Sequence, residues 1–291
     1  MDVSETDTSA TVAPNEDVIR ASARAWEFDR YLSALLSPRD VRQDLINLAA
    51  FAGEIERIPT IVTEPMMGEI RLQWWRDALE NTDLSLRSGH PIADAIRDTA
   101  ARHVLPLGLL MGFIDAQTTK LHDETLADDQ ALGSHFAKTE SALFELALRV
   151  VGCTDEIAHT VALSAGQAYG IARLLIELPA LWAQGHILIP ANRLAAAKLT
   201  VAQVRAGVDR DRILPVLNAL VAEARRHLLA ARRVMTQLSR AQRDALLPLA
   251  VVEPYLRAFE RVRRDPLREP LEIAPLRRVW ALWLTHLRGR F

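Results

Sequence analysis

Pairs of acidic residues four positions apart are the features of this sequence whose type and spacing could support catalysis. Asp40 and Asp44 form one pair, and Asp94 and Asp98 form another. Carboxylates at i and i+4 lie on one face of a helix, where they can hold Mg²⁺ against a diphosphate. Each pair also follows a proline by a few residues, in the first turns of a predicted helix, where acidic side chains interact favourably with the helix dipole. We therefore predict that both pairs are structural.

One carboxylate, Glu177, lies alone on a largely apolar predicted helix, which is unusual for a buried helix. The apolar segment GQAYGIARLLIELPALWAQGHILIP, residues 166–190, is predicted to be a helix that carries Arg173, Glu177 and, two residues later, Pro179. Other catalytic patterns are missing: the sequence has no GxGxxG, P-loop, HExxH or GxSxG motif, and its eight histidines form no HxH or HxxxH pair. The lone Cys153 excludes an internal disulfide framework and a cysteine-rich zinc site.

The elements that must position these residues are predicted to be helices. Of the 291 residues, 49% are hydrophobic and 25% charged, with Ala, Leu, Arg and Glu abundant and only 12 glycines. Pro65 and Pro91 are placed to occupy the first turns of helices, Pro59 to end the helix before them, and Gly152 to follow the end of another. No stretch shows the period-2 alternation of a strand. The pattern indicates an all-α protein, a single domain of about ten helices around a central cavity or core.

The charge distribution and the termini bear on location and partners. Residues 1–17 contain five acidic residues and no basic one, which predicts a disordered acidic tail preceding a helical domain over residues 18–291. Residues 201–291 carry 18 Arg, no Lys and 9 acidic residues, a balance of +9, whereas the first 200 residues balance at −11. The basic third could face anionic lipid or an acidic partner, or form solvated helix faces. No spanning helix is expected, and we expect a cytoplasmic protein that could associate peripherally with the inner membrane and that binds no nucleic acid.

Three segments in order along the chain resemble the squalene/phytoene synthase family: DRYLSALLSPRDVRQDLINLAAFAGEIERI, EPMMGEIRLQWWRDAL and AYGIARLLIELPALWAQGHILIP. The resemblance runs from about Trp26 to Phe291. It implies the all-helical isoprenoid synthase fold. It also implies a relation to active members that join two prenyl diphosphates head to head, with Mg²⁺ held between two aspartate-rich motifs.

Matched to those motifs residue by residue, this chain retains few acids. The first aspartate of the first motif falls on Glu56 and the last on Thr60. In the second motif, Glu177 stands for the first aspartate, while Ala180 and Leu181 stand where a glutamate and the last aspartate are expected. The departing diphosphate needs cations beside it, so the loss of most carboxylates indicates that Mg²⁺ binding and prenyl coupling are lost.

Other positions depart from the family as well. Lys120 stands where metal-facing members carry an acid, and Asp29 or Arg30 replaces a small serine that contacts diphosphate. Glu56 and Glu177 remain as candidate catalytic remnants, and as metal ligands if the protein is active. By resemblance, the candidate substrate-binding residues are the following: Arg57, Tyr169 and Arg173.

The same departures resemble the branch of this family that contains a mitochondrial complex I assembly factor. The resemblance implies a non-catalytic factor, without a cofactor, that supports respiratory complex I assembly. Its expected partners are complex I subunits or assembly intermediates, and the membrane surface or an isoprenoid lipid are further candidates. The alternative is a Mg²⁺-dependent head-to-head prenyltransferase, of the squalene or phytoene synthase type, that uses Glu56 and Glu177. A third hypothesis is an isoprenoid carrier that uses the apolar cavity without catalysis.

Overall fold

The computed structural model describes residues 9–122, 124–207, 210–261, 273–289 and 291, and all regular structure within these ranges is helical. This confirms the all-α prediction. The first part of the chain forms these helices: α1 (Ser9–Trp26), α2 (Phe28–Leu36), α3 (Arg39–Ile61), α4 (Pro65–Glu80), α5 (Pro91–Arg102), α6 (Leu107–Asp115), α7 (Thr118–Leu121) and α8 (Asp129–Phe136).

The second part begins with a π-helical turn, Ala137–Ser141, that runs directly into α9 and is here called the π turn. The helices that follow, with one 3-10 segment (Leu247–Val251) between α14 and α15, are these: α9 (Ala142–Val150), α10 (Glu156–Ala183), α11 (Ala191–Ala196), α12 (Val201–Arg205), α13 (Arg210–Met235), α14 (Arg240–Asp244), α15 (Val252–Glu260) and α16 (Pro275–Arg288). Several of these helices are only one or two turns long, and they connect the longer ones that the sequence predicts.

The helix boundaries follow local chemistry at most positions. Pro65 and Pro91 begin α4 and α5 as predicted, because the first-turn N–H that proline lacks has no partner within a helix. Gly152 has a φ of +81° just past the end of α9, the left-handed conformation expected of a glycine after a helix. Helix α1 begins at Ser9, inside the segment for which the sequence predicts a disordered tail, and residues 1–8 lie outside the described residues.

Proline does not end helices α3 and α10, contrary to what the sequence predicts for Pro59. Helix α3 continues through Pro59 to Ile61, and α10 continues through Pro179 to Ala183. A proline inside a helix removes one backbone hydrogen bond and strains the preceding turn. In α3, that turn is held by the buried side chains of Ile55 and Ile58, so packing keeps the last residues helical.

Helix α10 passes through the middle of the core. It packs against α13, α9, α15 and the π turn, while α3 packs against α1, α2 and α5. The approach of α10 to the π turn is close enough that a Cβ on Gly166 would lie 2.3 Å from the backbone nitrogen of Ser141. Among the described residues, no helix is long and apolar enough to cross a membrane.

The break between α1 and α2 brings charge into this core. Glu27 joins the two helices with φ −124° and ψ 54°, outside the helical region. The break aims the side chains of Glu27, Asp29 and Arg30 into the interior, where all three are buried. Buried charges must be paired or hydrogen-bonded, so the partners of these residues identify the polar centre of the fold.

Candidate functional site

The polar centre is one guanidinium surrounded by four glutamates, which we call the carboxylate cluster: Glu27, Glu56, Glu140 and Glu177. Arg173 on α10 donates from Nη1 to Glu27 at 2.9 Å and to Glu140 at 2.8 Å. It also donates from Nη2 to Glu56 at 3.0 Å and from Nε to Glu177 at 3.2 Å. The α1–α2 junction, α3, the π turn and α10 therefore meet at a single side chain.

A second guanidinium, that of Arg30, closes one side of the cluster. Its Nη2 donates to Glu140 at 2.5 Å, and its Nε lies 3.1 Å from a carboxylate oxygen of Glu27. The same guanidinium lies over the ring of Phe144, 4.6 Å from the centroid, and near the ring of Tyr169 at 5.3 Å. Cation–π contacts of this kind stabilise a guanidinium that has been removed from water.

The charges of this centre nearly balance. Four carboxylates face Arg30 and Arg173, and Lys120 acts on Glu56 from the neighbouring wall. Burial, together with the negative charges of Glu56 and Glu140, raises the pKa of Glu27 to about 8 against the opposing effect of Arg173. At Glu56 burial acts to raise the pKa, but Arg173 and Lys120 outweigh it and hold the pKa below its ordinary value. A proton on Glu27 at neutral pH leaves three carboxylates to three cations.

The chamber beside the cluster is small. It has a volume of about 40 Å³ and is lined by residues that include Glu56, Lys120, His135, Arg173 and Leu181. Burial lowers the pKa of the His135 imidazole to about 4, so this side chain is neutral at physiological pH. A volume of this size holds a few water molecules, whereas pockets for drug-sized ligands measure roughly 300–1,000 Å³.

A second polar cavity of about 210 Å³ lies on the other side of Arg173. Its centre is Asp29, whose Oδ2 accepts hydrogen bonds from the hydroxyl groups of Tyr169 at 3.1 Å and Tyr255 at 2.5 Å. Its Oδ1 accepts from Nε of Arg278 on α16 at 2.7 Å. Burial and the charge of Asp29 raise the pKa values of both tyrosines, so both hydroxyl groups stay protonated and act as donors.

The arrangement does not fit the Mg²⁺ that the resemblance implies for active members. Mg²⁺ takes octahedral oxygen ligands and keeps several waters, which requires free carboxylate oxygens and space between them. Here each of the four carboxylates accepts from the guanidinium of Arg173, which lies between them. No group of three or more His, Cys, Asp or Glu side chains among the described residues has a metal-binding arrangement.

The structure brings most of the predicted site residues together. Glu56, Glu177 and Arg173 share one network, and the ring of Tyr169 lies 5.9 Å from the guanidinium of Arg173. Arg57 is outside it and pairs instead with Glu54, one turn earlier on α3, at 2.8 Å from Nε. This difference arises because residues 56 and 57 point to different sides of α3.

Sequence reasoning missed two members of the cluster, Glu27 and Glu140. Both are buried. Glu27 stands between Trp26 and Phe28, and an acid flanked by aromatic residues was an available signal, whereas Glu140 stands between Thr139 and Ser141 and carries no such signal. At least one member of each acidic pair makes a structural contact. Asp44 is buried between α3 and α5, where it accepts from Thr99 at 3.1 Å, and Asp98 pairs with Arg87 at 2.9 Å.

Comparison with known proteins identifies the family of this chain. The family model for squalene/phytoene synthase matches residues 23–282. The chain is similar to the protein named NADH dehydrogenase (ubiquinone) complex I, assembly factor 6 from Rattus norvegicus, with 26% identity over 252 residues that cover 86% of this chain and 75% of that protein. The Drosophila melanogaster homolog is 25% identical over 246 residues, which cover 82% of this chain and 72% of that protein.

Solved structures with this fold include squalene synthase HpnC from Alicyclobacillus acidocaldarius, with a TM-score of 0.74, 19% identity and coverage of 87% of this chain and 96% of that one. A dehydrosqualene synthase in complex with ligand superimposes with a TM-score of 0.78 and 12% identity, over 97% of this chain and 100% of that one. At these identities the likeness establishes the fold, the isoprenoid synthase fold that the sequence predicts, and not the activity.

Proposed function

Because the chain belongs to the squalene/phytoene synthase family, we propose that it is a non-catalytic member that supports assembly of respiratory complex I. The proposal draws on the curated relatives, which are named as complex I assembly factors and which share 24–26% of their residues with this chain. Complex I subunits or assembly intermediates are the proposed partners, and the inner surface of the membrane is the proposed location.

The observation that carries the proposal is the position of Arg173. Coupling of prenyl diphosphates needs cations around a departing diphosphate and an apolar pocket for the carbocation. In this chain the side chain between the acidic walls is itself a cation, and all its guanidinium nitrogens already donate to glutamates. The chamber of about 40 Å³ has no room for two prenyl chains. The cluster therefore acts as a structural centre that ties four elements together.

Deletion of the gene in its own organism tests this role. We expect less assembled complex I on native gels and lower NADH:quinone oxidoreductase activity in membranes, with both restored by the wild-type gene. Complementation by Glu177→Gln distinguishes an assembly role from prenyl transfer. Glu177 is a candidate metal ligand for prenyl transfer, but it is half exposed and contributes only one of four contacts to Arg173. Full rescue by this variant supports an assembly role. Unchanged complex I after deletion contradicts it.

The alternative function is a Mg²⁺-dependent head-to-head prenyltransferase, the activity for which the squalene and dehydrosqualene synthases of this fold are named. The test is incubation of the purified protein with farnesyl or geranylgeranyl diphosphate and Mg²⁺. Formation of squalene, a hydroxylated relative or phytoene, abolished in Glu56→Gln and Glu177→Gln, would establish the transferase. An isoprenoid that copurifies with the protein, without turnover, would indicate a carrier.

A further inference from the structure

The last helix, α16, carries an apolar stripe that faces solvent. Its members recur at i, i+3, i+4, i+7 and i+11, and at helical periodicity they fall within a sector of roughly 100°. The indole rings of the two tryptophans contact each other edge to face, with their centroids 5.2 Å apart. The members, with their exposed fractions, are Leu276 (73%), Val279 (37%), Trp280 (55%), Trp283 (41%) and Leu287 (53%).

The opposite face of α16 is attached to the protein, so the stripe cannot turn inwards. Leu282 is buried, and Arg278 reaches into the core to bond Asp29 and to lie 4.7 Å from the centroid of the Phe28 ring. His286 contributes a third attachment through Asp244 at 2.9 Å. A surface helix of a globular protein normally buries its apolar stripe. In α16 the inward face holds the polar anchors and the outward face holds the tryptophans.

Exposed basic groups lie beside the stripe. Within α16 there are three arginines and one histidine and no carboxylate, and Arg277 and Arg288 are exposed at its two ends. Arg240 on the neighbouring α14 donates to the backbone carbonyl of His286 at 3.4 Å, which places a further exposed guanidinium near the C-terminal end. This helix lies in the third of the chain that carries a balance of +9. The charge favours an anionic surface as the occupant.

We propose that α16 binds the surface of a membrane containing anionic lipid. Helices that lie in the bilayer interface combine Trp and Leu on one side with Arg on the flanks, and their binding strength adds buried apolar area to attraction by anionic headgroups. Indole rings favour the membrane–water interface because most of the ring is apolar and its N–H can reach water. The inference specifies the peripheral location in the proposed function, and it is independent of the assembly role.

Vesicle cosedimentation tests the proposal with the purified full chain. We expect binding to phosphatidylcholine vesicles that contain phosphatidylglycerol and weaker binding to phosphatidylcholine alone. Replacing both Trp280 and Trp283 by Ser should weaken binding at least about tenfold, since each indole contributes a large apolar area. Replacing both Arg277 and Arg288 by Gln should weaken binding to the anionic vesicles by about fivefold per residue, since each basic side chain near such a surface contributes about 1 kcal/mol.

Trp74→Ser is the matched control, because Trp74 is 40% exposed, like Trp283, but lies on α4. We expect its vesicle binding to equal that of the wild type, and circular dichroism verifies that every variant is folded. The proposal is overturned if the wild type binds neither vesicle, if the double tryptophan variant binds like the wild type, or if Trp74→Ser loses as much. Wild-type dimers that the double tryptophan variant converts to monomers would instead identify a second copy as the occupant.

Discussion

Arg173 and Glu56 lie 117 residues apart in sequence and meet at 3.0 Å, Nη2 to Oε2, across the middle of the fold. Their contact joins α10 to α3, the two long helices around which the other elements pack. In a catalytic member of the family, these helices would hold metal ions between their acids, as the resemblance implies. Here an arginine on one helix neutralises the acid on the other, and the two walls are bound to each other directly.

Replacing Arg173 by Met should destabilise the protein by about 3–5 kcal/mol, because removing one partner leaves buried charges uncompensated. The free energy of unfolding from urea titration measures the change. Arg87→Met is the control, since that side chain is 55% exposed and pairs with Asp98, which is 34% exposed. We expect its effect to be about 1 kcal/mol or less, as for other solvent-accessible pairs. Equal losses in the two variants would contradict a central role for Arg173.

Stability should fall as the pH rises toward 8 because of Glu27. Its pKa is about 8 in the folded protein against an ordinary value of 4.5, so between these values the folded state binds more protons than the unfolded state. The contribution of this group is therefore most favourable below pH 4.5 and declines up to about pH 8. Thermal melts from pH 5.5 to 8.5 should show this slope in the wild type and a shallower one in Glu27→Gln. Parallel slopes would show that Glu27 does not hold the proton.

Gly166→Ala should destabilise the protein by at least about 2 kcal/mol, a typical cost of overpacking a core. The new methyl group would lie 2.3 Å from the backbone nitrogen of Ser141, so α10 would have to move away from the π turn. Gly112→Ala provides the control, because Gly112 is also helical and nothing lies within 4 Å of its Cβ position. That substitution should stabilise α6 by up to about 1 kcal/mol through helix propensity. Urea unfolding of both variants measures the contrast.

Asp29→Asn should loosen α16. The substitution leaves Tyr169, Tyr255 and Arg278 without their shared carboxylate, and an incompletely satisfied buried group costs about 1–3 kcal/mol. Amide hydrogen exchange should therefore accelerate in residues 278–288 more than in α3. Asp98→Asn removes an exposed pair with Arg87 and should leave exchange in α16 unchanged. Uniform acceleration along the whole chain would show that Asp29 supports global stability and not the attachment of α16.

Local pattern in the sequence determined the helical class, the family and most helix boundaries. Prolines at 65 and 91 and the glycine at 152 act through backbone geometry within one turn, so their consequences can be predicted without the fold. The same reasoning was wrong at Pro59, where the buried side chains of α3 outweigh the cost of a proline near the helix end. The predicted site residues Glu56, Glu177, Tyr169 and Arg173 came from the resemblance.

Tertiary structure alone decided how those residues are used. Glu27 and Glu140 lie 146 and 33 residues from Arg173, and nothing in their local sequence specifies that they share one guanidinium. Their pairing depends on the break between α1 and α2 and on the close approach of α10 to the π turn. The outward direction of the tryptophan stripe likewise depends on Arg278 reaching Asp29, 249 residues away. Helical periodicity defines which residues share a face, but only packing determines which face is buried.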